Sequence, residues 1–171
     1  MPSNLEIYLN DIESQLKTDF PEIADNIAIV SGVDEAISQI SNESIVRIAI
    51  ATELVYPEAQ YVYTADLIAD VPIDIFVYRQ AKQGENSLVV THGIVTELLN
   101  WTQYKDFEKS HEPAYPTNQE LIELEGQAGI MVKGTFNQLV DVGDINLQTA
   151  QYPYDGQINE IKVKVIASWQ T

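Results

Sequence analysis

The sequence predicts an α+β fold in which two long helices pack on one face of a mainly antiparallel sheet. Three observations lead to this prediction. Apolar residues recur at helical spacing in two separate stretches, near residues 3–20 and 87–101. Strand-like alternation of apolar and polar residues fills most of the chain between and after them. The 171 residues suit a single domain, residues 1–171, with one core.

The first helix has a clear beginning and a clear end. Ser3 and Glu6 form an S-x-x-E capping box, in which the serine caps the helix and the glutamate reaches back. Pro21 stops the helix. The face predicted to be buried carries apolar residues three or four apart, namely Leu5, Leu9, Ile12 and Leu16.

Short elements and two strong strands follow. "NIAIVSG" (26–32) reads as a buried strand and "DEAISQISN" (34–42) as a short helix. "SIVRIAIATELVY" and "VPIDIFVYRQ" alternate as strands. In the second of these, Ile73, Ile75 and Val77 are predicted to point inward, and Asp74, Phe76 and Tyr78 outward. The segment between the strands is also strand-like, which predicts a projecting β-hairpin arm over about residues 53–73.

The second long helix is predicted over "SLVVTHGIVTELLNW" (Ser87–Trp101). A long loop with two prolines follows, over about residues 101–117. Thr117 and Glu120 then form a second capping-box pattern, which predicts a short helix over "QELIELE". The rest is β-rich, and Asp155 with Gly156 predicts a tight hairpin turn between the last two strands.

Composition excludes several classes of function. The net charge of −17 repels nucleic-acid phosphates and anionic membranes, so nucleic-acid and membrane partners are not expected. With no cysteine, the chain has no disulfide, thiolate zinc site or thiol nucleophile. No apolar run is long enough to span a membrane, and the first residues do not resemble a signal peptide.

The sequence predicts neither catalysis nor a cofactor. It lacks the common hydrolase, zinc-protease and phosphate-loop motifs. His92 and His111 are expected to have structural or solvent roles, because no spacing supplies a metal partner. Asp66, Asp70 and Asp74, spaced by four, suit a solvated acidic strand edge better than a calcium loop. A small enzyme with paired carboxylates remains a possible alternative if two of them converge in a pocket.

Two groups of residues are candidates for contacts with partners or between subunits. Tyrosines cluster near the predicted arm, at Tyr56, Tyr61, Tyr63 and Tyr78; they mark either a protein interface or ordinary cross-strand packing. Lys162 and Lys164 alternate with apolar residues in "IKVKVIASWQT". If this strand lies beside "SIVRIAI" or "PIDIFVYRQ", its lysines join Arg47 or Asp74 on a solvated face. Alternatively, these cations and Arg47 meet an acidic surface of a neighbouring subunit.

The order of these elements resembles the tail-completion, or tail-terminator, proteins of tailed bacteriophages, in particular the neck protein of Mu-like contractile tails. The resemblance rests on "SNLEIYLNDIESQL", "VRIAIAT", "PIDIFVYRQ", "SLVVTHGIVTELLNW" and the closing "EIKVKVIASW". It is a likeness of pattern over most of the chain. The Tyr-rich segment after "ATELVYPEAQ" and the long loop depart from it.

The resemblance implies a structural protein of the virion, assembled in the host cytoplasm. Such proteins form a hexameric ring that caps the tail tube and joins it to the head-side connector, and contractile members also contact the sheath. DNA passes through the lumen without binding. The predicted arm and the long loop are the regions expected to contact partners. The alternative from another class is an acidic binding module, such as an immunity-type inhibitor that masks a basic partner.

Overall fold

The computed structural model describes residues 3–40, 45–50 and 66–144. Its helices are α1 (Asn4–Asp19), α2 (Val33–Ser38) and α3 (Ser87–Gln103), with a 3₁₀ turn over Pro21–Asn26. As predicted, Ser3 caps α1, since its hydroxyl accepts a hydrogen bond from the Glu6 amide at 3.2 Å. Asn86 caps α3 in the same way through the Val89 amide, at 3.2 Å.

The described residues include five strands, β1 (Ile27–Ile29), β2 (Ile45–Ile50), β3 (Asp66–Gln80), β4 (Tyr115–Ile122) and β5 (Gly129–Asp144). These strands form one sheet in the order β1-β2-β3-β5-β4. Within it, β1 and β2 are parallel, and the other three described pairs are antiparallel. The predicted α+β class with a mainly antiparallel sheet is therefore confirmed.

The two faces of the sheet are covered differently. Alternate residues of β3, including Ile73, Ile75 and Val77, are buried in one core with residues of both α1 and α3, and we call this side the helix face. On the other side, which we call the groove face, Phe76 and Tyr78 are buried under α2 in a smaller cluster. The prediction that these two aromatic residues point outward into solvent is wrong, because α2 covers them.

The prediction of a short helix over "QELIELE" is wrong. Residues up to Ile122 lie in β4, where Glu120 pairs with Lys133 and Leu121 with Val132 of β5. The T-x-x-E pattern is a local signal, and pairing with a neighbouring strand overrides it. The preceding loop is also shorter than predicted. Helix α3 continues to Gln103 and β4 begins at Tyr115, so the loop comprises residues 104–114.

Most of the predicted arm, residues 53–65, lies outside the described residues. Its far end, residues 66–73, belongs to β3 and pairs with β5. Ala69, Val71 and Ile73 are buried in the core there. This end of the predicted range is therefore part of the sheet, because its alternate side chains pack beneath the helices.

A buried polar chain ties α1 to β5 and to the loop. The Tyr8 hydroxyl donates to Gln138 Oε1 at 2.6 Å, and Gln138 Nε2 donates to the Glu112 carbonyl at 2.8 Å. Both side chains are fully buried, and burial raises the pKa of Tyr8 far above its usual value. Tyr8 is thus a neutral hydrogen-bond donor at every physiological pH.

Tyr8→Phe is expected to destabilise the protein by about 1–3 kcal/mol, because it leaves the buried Gln138 oxygen without this donor. Urea unfolding followed by circular dichroism measures the change. Tyr104→Phe is the matched control, since the Tyr104 side chain is 88% exposed, and should leave stability unchanged. Equal stability of the two variants would show that the buried hydrogen bond contributes little.

Candidate functional site: an acidic groove beside an open sheet edge

An open groove of about 600 Å³ lies on the groove face, between the start of α2 and strands β3, β5 and β4. Phe76 and Ile122 contribute apolar surface. The charged residues that line it are four acids and one base: Asp34, Glu35, Asp74, Glu120 and Lys133. The groove therefore carries a net negative charge and favours binding of a cationic group over an anionic one.

Lys133 is held by the acids around it. Its Nζ lies 2.5 Å from Glu120 Oε1. This hydrogen bond, reinforced by the charges of Asp74 and Glu120, raises the pKa of Lys133. Asp74 in turn accepts a hydrogen bond from the Thr135 hydroxyl at 2.6 Å. Lys133, Glu120 and Asp74 thus all have hydrogen-bonding or ion-pair partners in the groove.

Glu35 has a structural role at the end of the groove, where it binds the segment before α2. Its Oε2 accepts hydrogen bonds from the Ser31 amide and hydroxyl, at 2.7 and 2.6 Å. The hydroxyl and then the amide of Ser31 lower the pKa of Glu35. A general acid at neutral pH needs the opposite shift. The groove thus gathers carboxylates, as the paired-carboxylate alternative requires, but the pKa of Glu35 is shifted in the direction opposite to that of a general acid.

Further polar residues continue along the groove face beyond the groove. Asp70 accepts hydrogen bonds from Asn137 Nδ2 at 3.0 Å and from the Tyr115 hydroxyl at 3.1 Å. Partial burial and the neighbouring Asp70 raise the pKa of Tyr115. At Asp74, β3 is flanked by both β2 and β5. The predicted solvated edge is therefore wrong for this aspartate, which lies in a central strand and bonds across to Thr135.

The histidines join elements of the fold. His92 Nδ1 lies 2.7 Å from Gln119 Oε1, and Gln119 Nε2 donates to the Thr96 hydroxyl at 2.7 Å. These bonds attach α3 to β4. The His111 amide donates to the Leu139 carbonyl at 2.8 Å, which attaches the loop to β5. Among the described residues, no group of three or more histidines and acids is placed to hold a metal ion.

The loop predicted to contact partners is itself fixed to the body of the protein. Phe107 is buried and packs edge-on against Tyr8 and at a tilt against Trp101, with ring centroids 6.0 and 5.6 Å apart. The Glu108 amide also donates to Asp11 Oδ2 at 2.7 Å. Tyr104, at the start of the loop, remains widely exposed.

Of the predicted contact residues, Tyr56, Tyr61, Tyr63, Lys162 and Lys164 lie outside the described part of the chain. Arg47 pairs through its backbone with Phe76 of β3 and Ala28 of β1, and only its backbone is described.

The described sheet limits where the lysine-bearing strand can lie. Along residues 73–78, β3 has β2 on one side and β5 on the other. Along residues 46–48, β2 lies between β1 and β3. At these positions β2 and β3 are already paired on both sides, so they have no free edge for the lysine-bearing strand. Asp74 is also already bonded to Thr135.

Local ion pairs occupy many of the cations. Among the basic side chains in the described part of the chain, four form ion pairs with nearby acids: Lys17–Glu13, Arg79–Glu85, Lys105–Asp19 and Lys133–Glu120. The Arg79 guanidinium lowers the pKa of Glu85, and hydrogen bonds from Lys105 and Trp101 lower that of Asp19. These cations are engaged within the chain and are less available for a partner.

An uncharged surface lies on the helix face, on the opposite side of the sheet from the groove, and the sequence-based predictions missed it. Helix α3 has one charged residue, Glu97, among its 17 residues, whereas α1 has five among 16. Leu88 and Val89 of α3 are 38% and 63% exposed, and Leu121 of β4 is 49% exposed. Because residues 119–125 were predicted to be a helix, the β4 edge was not foreseen. The scarcity of charge in "SLVVTHGIVTELLNWTQ" was the available signal.

No helix in the described residues is both long and apolar enough to cross a membrane. Comparison with protein-family models and with curated proteins found no match to the chain.

Proposed function

We propose that this protein is a structural subunit of a phage-tail-like particle, a tail-terminator-like protein that assembles into a ring at the end of the tail tube. In this role it contacts copies of itself, the tube protein, the sheath protein and the head-side connector. The observation that carries the proposal is the nearly uncharged surface of α3 and β4, with three exposed apolar side chains, on a chain of net charge −17. Such a surface suits protein contact.

The charge distribution supports the same proposal. A ring through which DNA passes needs a wall that does not bind phosphate, and a strongly acidic chain supplies one. Four of its cations are also taken up in local ion pairs. Copies of such a chain repel each other at long range, so assembly depends on surfaces with little charge and on a few local attractions.

The second candidate is an acidic binding module that masks a basic partner, and the acidic groove favours it. Four carboxylates line this groove with one lysine. An inhibitor of this kind would bind one basic protein tightly in a complex of fixed composition. It would have no need for the uncharged α3 and β4 surface, which is why we place it second.

Binding to tail tubes tests the proposal. The genes beside this one indicate which tube protein to purify: sheath and tube genes are expected, whereas a toxin gene would favour the inhibitor. Tubes assembled with the protein present should be shorter and carry it at one end, as seen by immunogold labelling. Tubes of unchanged length without bound protein would contradict the proposal.

A further inference from the structure

We propose that the outer edge of β4 receives residues 160–168 of a second copy of the chain as an added strand. We call these residues the lysine segment. The inference rests on the proposed self-assembly and names the contact that would carry it. The occupant is a second copy of this chain, and the contact is strand addition to an open edge.

The edge is available in the described structure. β4 is the last strand of the sheet, with β5 on one side and no further strand on the other among the described residues. Its outward N–H and C=O groups are a template for an extended segment. Pro116 weakens the template at the start of β4, which leaves residues 118–122 as the part suited to pairing.

The two sides of β4 differ in chemistry. Leu121 pairs with Val132 and therefore lies on the helix face. Helix α3 covers this face, and its Leu88 and Val89 side chains are exposed to solvent. Glu120 pairs with Lys133 and lies on the groove face, among the acids of the groove. A strand that pairs here meets apolar side chains on one side and net negative charge on the other.

The lysine segment has the matching alternation. Ile161, Val163 and Val165 fall on one side of an extended chain, and Lys162 and Lys164 on the other. Docked on β4, the apolar side chains lie near Leu121, and the lysines lie near a groove with four acids and one base. The opposite orientation would place two lysines on the apolar side, so the docking orientation is specified.

A second copy is the occupant because the inference rests on self-assembly. Copies with a net charge of −17 repel each other at long range, so a contact between them needs a local attraction, which the lysines and the acidic groove supply. The double-cysteine variant described below separates a second copy from the segment's own subunit.

Disulfide trapping tests this contact cleanly, because the chain has no cysteine. Full-length Leu121→Cys, and full-length Val163→Cys carrying a mass tag, are mixed under mild oxidation and analysed on non-reducing gels. The mixed disulfide is expected to form at least five-fold more than with Thr18→Cys, an exposed residue on α1, in place of Leu121→Cys. Ile161→Cys and Val165→Cys serve as alternatives if the register or folding of Val163→Cys is unsuitable.

Charge reversal provides the second arm. Lys162→Glu with Lys164→Glu, added to the tagged Val163→Cys protein, should reduce the mixed disulfide at least five-fold. A yield equal to the Thr18→Cys control with all three segment cysteines would overturn the inference. A disulfide that forms only within one chain of the Leu121→Cys, Val163→Cys double variant would also overturn it, since it would place the segment on its own subunit.

The outcome is separable from that of the proposed function. Rings that form without the Leu121–Val163 disulfide would refute the strand addition and leave the ring in place. A disulfide-linked pair that never grows beyond a dimer would support the strand contact and refute the ring.

Discussion

Gly134→Ala is expected to destabilise the protein by about 1–3 kcal/mol, the usual cost of overpacking a core. Gly134 lies in β5, directly beneath α3. A Cβ at this position would lie 2.5 Å from Val95 Cγ1 and 3.1 Å from Leu99 Cδ1. Both of these side chains are buried. They cannot move aside freely, so the helix has to shift away from the sheet.

Gly93→Ala is the matched control, and its expected change in stability has the opposite sign. This glycine lies in α3 itself, and a Cβ there would meet nothing within 4 Å. Alanine in an exposed helical position should stabilise the protein by about 0.5–1 kcal/mol. Urea unfolding midpoints of the two variants, measured side by side, give the comparison. A Gly134→Ala protein at least as stable as the unmodified protein would refute the close approach of α3 to Gly134.

Phe136→Ala is expected to have the largest effect, a loss of about 3–5 kcal/mol in the free energy of unfolding. Phe136 is fully buried in the core beneath α1 and α3, and it pairs with Ile73 of β3. Its removal leaves a cavity between the central strands and the helices. This loss is a large fraction of the stability of an ordinary domain.

Tyr104→Ala is the control for this truncation, because it removes an aromatic ring that is 88% exposed. Its stability should stay within about 0.5 kcal/mol of the unmodified protein. Thermal unfolding followed by circular dichroism ranks the two variants. A Phe136→Ala protein as stable as Tyr104→Ala would contradict the arrangement of the core described above.

Periodicity predicted the elements whose local signals agree with their packing. Helix α1 has a serine cap and one apolar stripe, and α3 has a buried stripe whose apolar members are Val95, Leu98 and Leu99. The alternating residues of β3 meet two different cores on its two faces, so the strand itself was predictable. The cover over Phe76 was not, because it depends on where α2 packs.

The segment whose secondary structure was predicted wrongly is β4. This error also prevented prediction of the candidate site. Thr117 and Glu120 have helix-start spacing, but the strand forms because β5 offers a partner from Gly134 to Met131. Pairing with the next strand along the chain leaves no periodic signal within a short polar segment. The acidic groove and the open edge both depend on this strand, so neither could be predicted without knowing the order of strands in the sheet.

The candidate contact residues stay predictions. Alternation in "IKVKVIASWQT" and the shortage of cations in the chain indicated lysines with a special role. The strands first proposed as neighbours are already flanked at the described positions. The acidic groove on the described sheet could be located only once β3, β4 and β5 were placed side by side.

The mass of the purified protein in solution, measured by light scattering, tests the proposed ring most directly. Measurements at about 0.01 M and 0.15 M salt also use the acidic charge, since the screening length falls from about 30 Å to about 8 Å. We expect six times the mass of the 171-residue chain, favoured at the higher salt concentration where repulsion between copies is screened. A monomer at both salt concentrations, up to the highest protein concentration reached, would contradict self-assembly into a ring.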